Sequence, residues 1–183
     1  MQPFESVLAG ARAGEEWAWR RIHGELAPRI AGYLRGHGAA DPDDLASEVL
    51  LQMVQGLGGF SGDERQFRSW AFTIAHRRLV DDLRRRARRP SVALEPETLA
   101  AVAGPGGDVH ADAEAELDRA RVVEAIATLP PDQRSVLLLR IVGDLTVEEV
   151  ARAVGKQPGA VKALQRRALR RLEKAYPFPV LER

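Results

Sequence analysis

The stretch from Pro90 to His110 holds Pro90, Pro96, Pro105, Gly104, Gly106 and Gly107. Proline removes an amide donor and fixes φ, and glycine is costly to order, so neither helix nor strand can run through such a segment. On both sides the apolar residues recur at three and four positions, the period of amphipathic helices, and strict alternation is missing. The chain is therefore expected to be all-α, with two small helical domains over residues 1–89 and 113–183 and a flexible linker over 90–112. Relative motion of the two domains is the default expectation for a linker of this composition.

Charge follows the same division, although the net formal charge is only +1. From Ser61 to Pro90 the arginines at 65, 68, 77, 78, 84, 85, 86, 88 and 89 face only Asp63, Glu64, Asp81 and Asp82. From Ser91 to Asp118 there is no lysine or arginine, and the acids are Glu95, Glu97, Asp108, Asp112, Glu114, Glu116 and Asp118. Bases dominate again from Arg119. Nearly all of them are arginine, as in GC-rich coding, so their clustering rather than their number argues for nucleic acid.

In the first domain Phe4, Val7, Leu8 and Ala11 share a helix face. Trp17, Ile22, Leu26, Ile30, Tyr33 and Leu34 follow, with Pro28 as a kink or break and Gly36 and Gly38 as the stop. Asp41-Pro42-Asp43-Asp44 is a helix start: an acid at the N-cap, proline at the first position, and acids where the helix dipole favours them. Its inward stripe is Leu45, Val49, Met53 and Val54. After a glycine-rich loop around Phe60, a long helix is expected from Glu64 to Arg88, with Phe67, Trp70, Ala71, Ile74, Val80 and Leu83 inward and Arg68, Arg77, Arg84 and Arg88 outward.

In the second domain helices are expected over Ala113 to Thr128, from Pro131 to Val142 with Val136, Leu137, Leu139 and Ile141 as its apolar set, and from Thr146 to Val154. Thr146 and Glu149 form a capping box at the start of the third. A turn from Gly155 to Pro158 leads to a helix ending near Ala175, with Val161, Leu164, Ala168, Leu169 and Leu172 inward.

Enzyme classes find little support. There is no cysteine, hence no disulfide and no cysteine-ligated zinc. His23, His37, His76 and His110 are scattered without ligand spacing, and the glycines near 105 lack the strand and Lys-Ser/Thr of a phosphate loop. No catalytic residue, metal or cofactor is assigned. No apolar run nears the ~20 residues that span a bilayer. No basic segment followed by an apolar core opens the chain. A soluble, cytoplasmic protein without membrane insertion is expected.

Three constellations remain. Helix, glycine turn and basic helix from Thr146 to Ala175 is a helix-turn-helix arrangement, whose second helix can enter a major groove. Lys162, Arg166, Arg167 and Arg170 can neutralise phosphates, and Gln165 and Gln157 can meet base edges. The plain alternative is a solvated helix hairpin. The Glu64–Arg88 helix and the Phe60 loop mix arginines with rings, as single-strand binding requires, although Phe67, Trp70 and Ile74 also have core spacing. The acidic start at Asp41, Asp43, Asp44 and Glu48 is either capping with a solvated face or a docking surface.

In order along the chain, DPDDLASEVL from Asp41 to Leu50 is similar to DxEDLVQEVF, and FRSWAFTIAHRRLVD from Phe67 to Asp81 to FxxWLxxIARNxxxD. LPPDQR from Leu129 resembles LPxxxR, LTVEEVA from Leu145 resembles LSYEEIA, and GAVK from Gly159 with Arg167-Ala168 resembles GTVKSRxxRA. These strings are those of the extracytoplasmic-function (ECF) group of bacterial sigma factors, and the resemblance covers nearly the whole chain. It implies a region 2-like bundle and a region 4-like helix-turn-helix domain. It also implies binding to the clamp and flap regions of core RNA polymerase, recognition of promoter DNA, and restraint by an anti-sigma factor. By position, Asp41, Asp44, Leu45, Glu48 and Val49 would dock on the polymerase clamp. Phe60, Arg65, Arg68, Trp70, His76, Arg77 and Arg78 would handle the −10 element. Gln157, Lys162, Gln165, Arg166, Arg167 and Arg170 would read the −35 element. Ser47, His76-Arg77, Ala160, Ala163 and Leu164 depart from the family strings, which bears on base contacts and not on the fold.

The alternatives are a stand-alone helix-turn-helix regulator and a docking scaffold. A regulator needs a dimerisation or ligand domain in place of the Trp70 helix and its acidic neighbour. The resemblance also implies that the acidic linker threads toward the RNA exit path, where its charge suits a channel built for RNA. Neutral residues in place of the linker acids are expected to shift the ratio of abortive to full-length transcripts; an unchanged ratio counts against that role.

Overall fold

The computed structural model describes residues 2–88 and 122–175. The linker expected over 90–112 and the start of the helix expected from Ala113 lie outside the described residues. The first domain is α1 (Phe4–Arg12), α2 (Glu16–Gly36), α3 (Pro42–Gly56), a 3-10 turn (Leu57–Gly59) and α4 (Glu64–Arg88). In the second, helical residues 122–127 (α5) are followed by α6 (Pro131–Ile141), α7 (Val147–Val154) and α8 (Pro158–Ala175). No strand occurs among the described residues.

Helix starts follow local chemistry. The Asp41 carboxylate accepts the Asp44 amide at 2.9 Å, with Pro42 at the first helical position. At α7, Thr146 Oγ1 accepts the Glu149 amide at 3.2 Å and the Glu149 carboxylate accepts the Thr146 amide at 2.6 Å. A second reciprocal cap opens α4: Asp63 accepts from the Gln66 amide at 2.7 Å and Gln66 from the Asp63 amide at 2.9 Å. Gly155 ends α7 in the left-handed region at φ 66°, where a Cβ would be strained. Arg134 braces the entry to α6, donating to the carbonyls of Ala127 and of Leu129. Pro28 does not break α2. Both Pro28 and Gly24 are exposed, so water can satisfy the carbonyl that proline leaves unpaired.

The core of the first domain includes Leu26, Ile30, Tyr33, Leu34, Val49, Met53 and Phe72; that of the second includes Val136, Leu139, Leu145, Val150, Val161 and Ala168. Val54, Leu83, Ile141 and Leu169 were expected inward and are exposed. Val54 and Leu169 each follow a buried neighbour, and residues one apart lie about 100° apart on a helix, so both cannot face the same core.

The linker composition implies two freely moving bodies, yet the buried apolar residues of both domains form one continuous cluster. α7 lies against α4, and the end of α2 meets α6. Glycines permit the approach: a Cβ on Gly36 would stand 2.8 Å from Leu138 Cδ1, and one on Gly143 3.3 Å from Phe72 Cγ. A polar relay crosses the same boundary. Ser135 Oγ donates to His37 Nε2 at 3.0 Å, and His37 Nδ1 donates to the Tyr33 carbonyl at 3.0 Å. The Tyr33 hydroxyl donates to His76 Nδ1 at 2.8 Å.

Burial pushes His37 down to about 4; Arg134 and His76 push the same way, and the Tyr33 carbonyl opposes them. His76 is also lowered, chiefly by burial, with Lys156 lowering and Asp132 raising it. A histidine whose pKa falls on folding stays neutral in the native state, so its contribution is complete above its ordinary value and is lost as pH drops through that window. The melting temperature is expected to fall as pH is lowered from about 6.5 toward about 4, and His37→Gln is expected to flatten the fall. Thermal unfolding followed by circular dichroism across this range checks it; an equal slope in both proteins assigns the loss to other groups.

Candidate nucleic-acid and polymerase interfaces

The first surface is an aromatic groove between α3 and α4. Phe60 stacks on Trp70 with centroids 5.2 Å apart and planes at 24°. Phe67 meets Phe60 edge-on at 5.2 Å and is itself buried. Arg12 donates to the Phe60 carbonyl and so holds the loop against α1. Trp70 fits because position 56 has no side chain: a Cβ there would come within 2.9 Å of its Cζ2. The resulting open groove, about 630 Å³, is lined by Gln52, Gln55, Phe60, Trp70, Ile74 and Arg77 among others. It offers a ring edge, amides and a guanidinium together. Phe72, a further ring of α4, is fully buried against Tyr33 with centroids 5.9 Å apart.

The remaining −10 candidates divide between two faces of α4. Arg78 turns toward α3, donating to Gln52 at 3.0 Å and pairing with Glu48 at 3.5 Å. Arg65, Arg68 and His76 turn toward the second domain. Arg65 pairs with Glu149 at 3.2 Å. Arg68, expected to be exposed, has a side chain only 18% exposed and meets Asp144 at 3.0 Å, Glu64 at 3.6 Å and Glu25 at 3.7 Å. The reason is tertiary: α4 is packed by α2 and α3 and also by α7, so its outward face is covered. The structure thus gathers Phe60, Trp70 and Arg77 at one groove and leaves Arg65, Arg68 and His76 away from it.

The second surface is the outer side of α3. Asp44 and Glu48 lie along it, while Asp41 is committed to the cap. Leu45 and Val49, expected among the docking residues, are buried and anchor the helix from within. The apolar group on the outer face is Leu51, 59% exposed, flanked by Val54. Sequence reasoning missed Leu51, yet its signal is the spacing 44, 48, 51 and 55, which puts Asp44, Glu48, Leu51 and Gln55 on one strip.

The third surface is α8. Val161 and Ala168 seat it on α6 and α7. Gln157 is exposed just before the helix, and Lys162, Arg166, Arg167 and Arg170 are exposed along it. Lys162, Arg166 and Arg170, at successive four-residue steps, line one side; Arg167 lies about 100° from Arg166. Gln165 is half-buried at the edge of the strip, and Leu169 is exposed within it. Among the described residues no group of three or more acidic or histidine side chains converges on a metal position, and no helix is long and apolar enough to cross a membrane.

An all-helical fold among the described residues, with an exposed basic helix after a helix and glycine turn and a separate aromatic groove, is the arrangement of DNA-binding transcription proteins. Residues 19–89 match the family model for Sigma-70 region 2, and residues 119–172 the one for Sigma-70, region 4. The chain is 34% identical over 177 residues to the ECF RNA polymerase sigma factor BldN of Streptomyces coelicolor, covering 93% of this chain and 65% of that protein's length. It is 33% identical over 179 residues to the ECF RNA polymerase sigma factor SigD of Mycobacterium tuberculosis, covering 93% and 82%. In fold it is similar to CnrH, solved in complex with the cytosolic domain of CnrY, with a TM-score of 0.64, 24% identity and coverage of 92% and 94%. It is likewise similar in fold to RpoE, solved with the anti-sigma factor NepR from Bartonella quintana, with a TM-score of 0.63, 20% identity and coverage of 85% and 94%. The chain belongs to the ECF RNA polymerase sigma factors, alternative sigma factors that direct transcription initiation.

Exposed cations on α8 release counterions when they meet phosphates, and each phosphate contact adds about 0.9 to the slope of log affinity against log salt. Replacing Arg166 and Arg167 with Ala is expected to weaken duplex binding and to reduce that slope by roughly 1–2. Fluorescence anisotropy of promoter duplexes over a salt series checks this; an unchanged slope makes the two arginines a solvated face.

Proposed function

We propose that this sigma factor divides its work among three surfaces. The first domain, residues 1–89, docks on the clamp of core polymerase through the α3 strip of Asp44, Glu48 and Leu51, where two carboxylates flank an exposed apolar side chain. It holds the unpaired strand of the −10 element in the Phe60–Trp70 groove. Stacking on such a ring contributes about 1–3 kcal/mol per base, a scale suited to holding a strand whose pairing has just been lost. Gln52 and Gln55 supply amide donors and acceptors at the groove, and Arg77 a cation for the backbone. The residues 113–183 form the second domain, which lays α8 in the major groove of the −35 element, with Lys162, Arg166, Arg167 and Arg170 on phosphates and Gln157 and Gln165 nearest the bases. That domain also meets the polymerase flap. The acidic linker, 90–112, joins the two.

The observation that carries this reading is that one chain holds an aromatic groove lined with amides and a guanidinium and, apart from it, an exposed basic helix. A stand-alone duplex-binding regulator has no use for the groove. The protein acts in the cytoplasm as a polymerase subunit and not as an enzyme by itself. An anti-sigma factor is its expected inhibitor; a protein of this fold has been captured with one.

Run-off transcription on a genomic-fragment library tests the reading, with this protein alone, core alone, and both. Specific transcripts only in the combined reaction are expected. Asp44→Lys with Glu48→Lys is expected to weaken core binding, measured by competition, without loss of helicity. Tight duplex binding by the protein alone, with no core-dependent transcripts, overturns the proposal.

A further inference from the structure

We infer that the cleft between α4 and the second domain is a binding site for a short phosphate chain, inorganic or carried on a nucleoside. The cleft has an open volume of about 530 Å³, within the range of small-molecule sites. One wall is α4, with His76, Arg77, Val80 and Arg84. The opposite wall belongs to the second domain: Asp132 and Ser135 on α6, Arg152 and Val154 on α7, and Lys156 in the turn that follows. Of these residues only Arg77 also lines the aromatic groove described above.

Charge is the first support. Four cations, Arg77, Arg84, Arg152 and Lys156, line the cleft against two carboxylates, Asp81 and Asp132. Both carboxylates are already taken: Asp132 meets Lys156 at 3.0 Å, and Asp81 meets Arg84 at 3.8 Å. Arg77 and Arg152 are exposed and form no ion pair among the described residues. Unpaired guanidinium groups that line one recess repel each other, and its walls focus their field into the opening. A multiply charged anion relieves that repulsion, and guanidinium forks match the geometry of phosphate oxygens. The carboxyl end of α7 brings about half a negative charge to the same wall, which Arg152 and Lys156 outweigh.

The second support is the arrangement of donors. His76 Nδ1 accepts the hydroxyl of buried Tyr33, so the ring proton sits on Nε2, the nitrogen left to serve the cleft. The cleft continues along α4 into a smaller recess of about 300 Å³ lined by Asp81, Arg84, Arg85 and Arg88. Arg77, Arg84 and Arg88 stand seven and four residues apart, so they share one side of the helix. The cations are thus laid along a track and not gathered at a point, which suits a chain of phosphates better than a single one. Val80 and Val154 are half-buried on facing walls and offer a base an apolar rest. A duplex is a convex rod and cannot enter a recess walled on both sides, whereas a phosphate chain can.

Calorimetric titration of the full chain with sodium tripolyphosphate and with ATP, at fixed ionic strength, tests the site. One-to-one binding is expected, with a melting temperature that rises with ligand concentration, because a ligand held only by the folded protein stabilises it. Similar affinity for the two probes supports a site that reads the phosphate chain alone; tighter binding of ATP supports one that also reads the nucleoside. Arg84→Ala with Arg152→Ala removes one exposed cation from each wall. It is expected to weaken binding at least roughly tenfold, the scale of a lost charge-assisted contact. Arg20→Ala with Arg29→Ala removes the same charge from the exposed side of α2, away from the cleft, and is expected to leave the affinity unchanged. Equal loss in both double variants reduces the attraction to net charge and overturns the site, and so does failure of both probes to bind. Orthophosphate that binds as tightly as tripolyphosphate overturns the assignment to a phosphate chain. Weaker duplex binding by the cleft variant, with no binding of either probe to the unaltered protein, gives these cations to DNA and overturns the inference as well.

Discussion

Tyr33 is fully buried, and its hydroxyl must find a partner or carry an uncompensated desolvation cost. It finds His76 on α4 at 2.8 Å, and its ring meets Phe72 of the same helix edge-on. This contact, together with the burial of Phe72 and Leu79, sets the rotation of α4 about its own axis, and the sorting of that helix's other side chains follows from it. With Phe72 and His76 turned toward α2 and the second domain, Trp70, Ile74 and Arg77 must look toward α3 and form the groove. Arg65 and Arg68 must look toward α7. That rotation sorts a helix rich in arginine into a face that lines an open groove and a face that meets the second domain.

The arginines show how context divides one residue type between tasks. Arg134 is half-buried and lowered by that burial, and it is spent on carbonyls at the end of α5. Arg78 ties α4 to α3 through Gln52 and Glu48. Arg166 and Arg167 stand in solvent on α8. Residues that a charge count treats alike are thus a brace, a tie and a pair of exposed cations. The carboxylates divide in the same way: Asp41 and Glu149 close helix caps, while Asp44 faces outward on α3.

Much of this architecture was legible in the order of residues. The capping box at Thr146 and Glu149, the start at Asp41-Pro42, the span of α4 and the all-helical class all depend on neighbours within a few positions, and the structure has them. Among the decisions that failed were those about faces where two apolar residues adjoin. Met53 and Val54, or Ala168 and Leu169, give a pattern that fits two rotations, and only a neighbouring helix selects one. The candidate sites were partly legible for the same reason. The groove pairs Phe60 and Trp70 with Gln52, Gln55 and Arg77 from separate elements, and no local spacing announces that meeting. Leu51 was available to the helical period but was hidden by the acidic residues beside it.

The sequence by itself determined the two helical blocks, the proline- and glycine-rich stretch between them, the family strings and the basic helix after the Gly155 turn, because capping, proline geometry and the helical period act over a few residues. Tertiary structure alone decided that Val54 and Leu169 face outward, that Arg68 is shared among three carboxylates, and that the two blocks close on each other. Those outcomes depend on contacts between residues as distant as His37 and Ser135. At such separations the chain's local preferences carry no information, and shape, burial and the pairing of polar groups choose the arrangement.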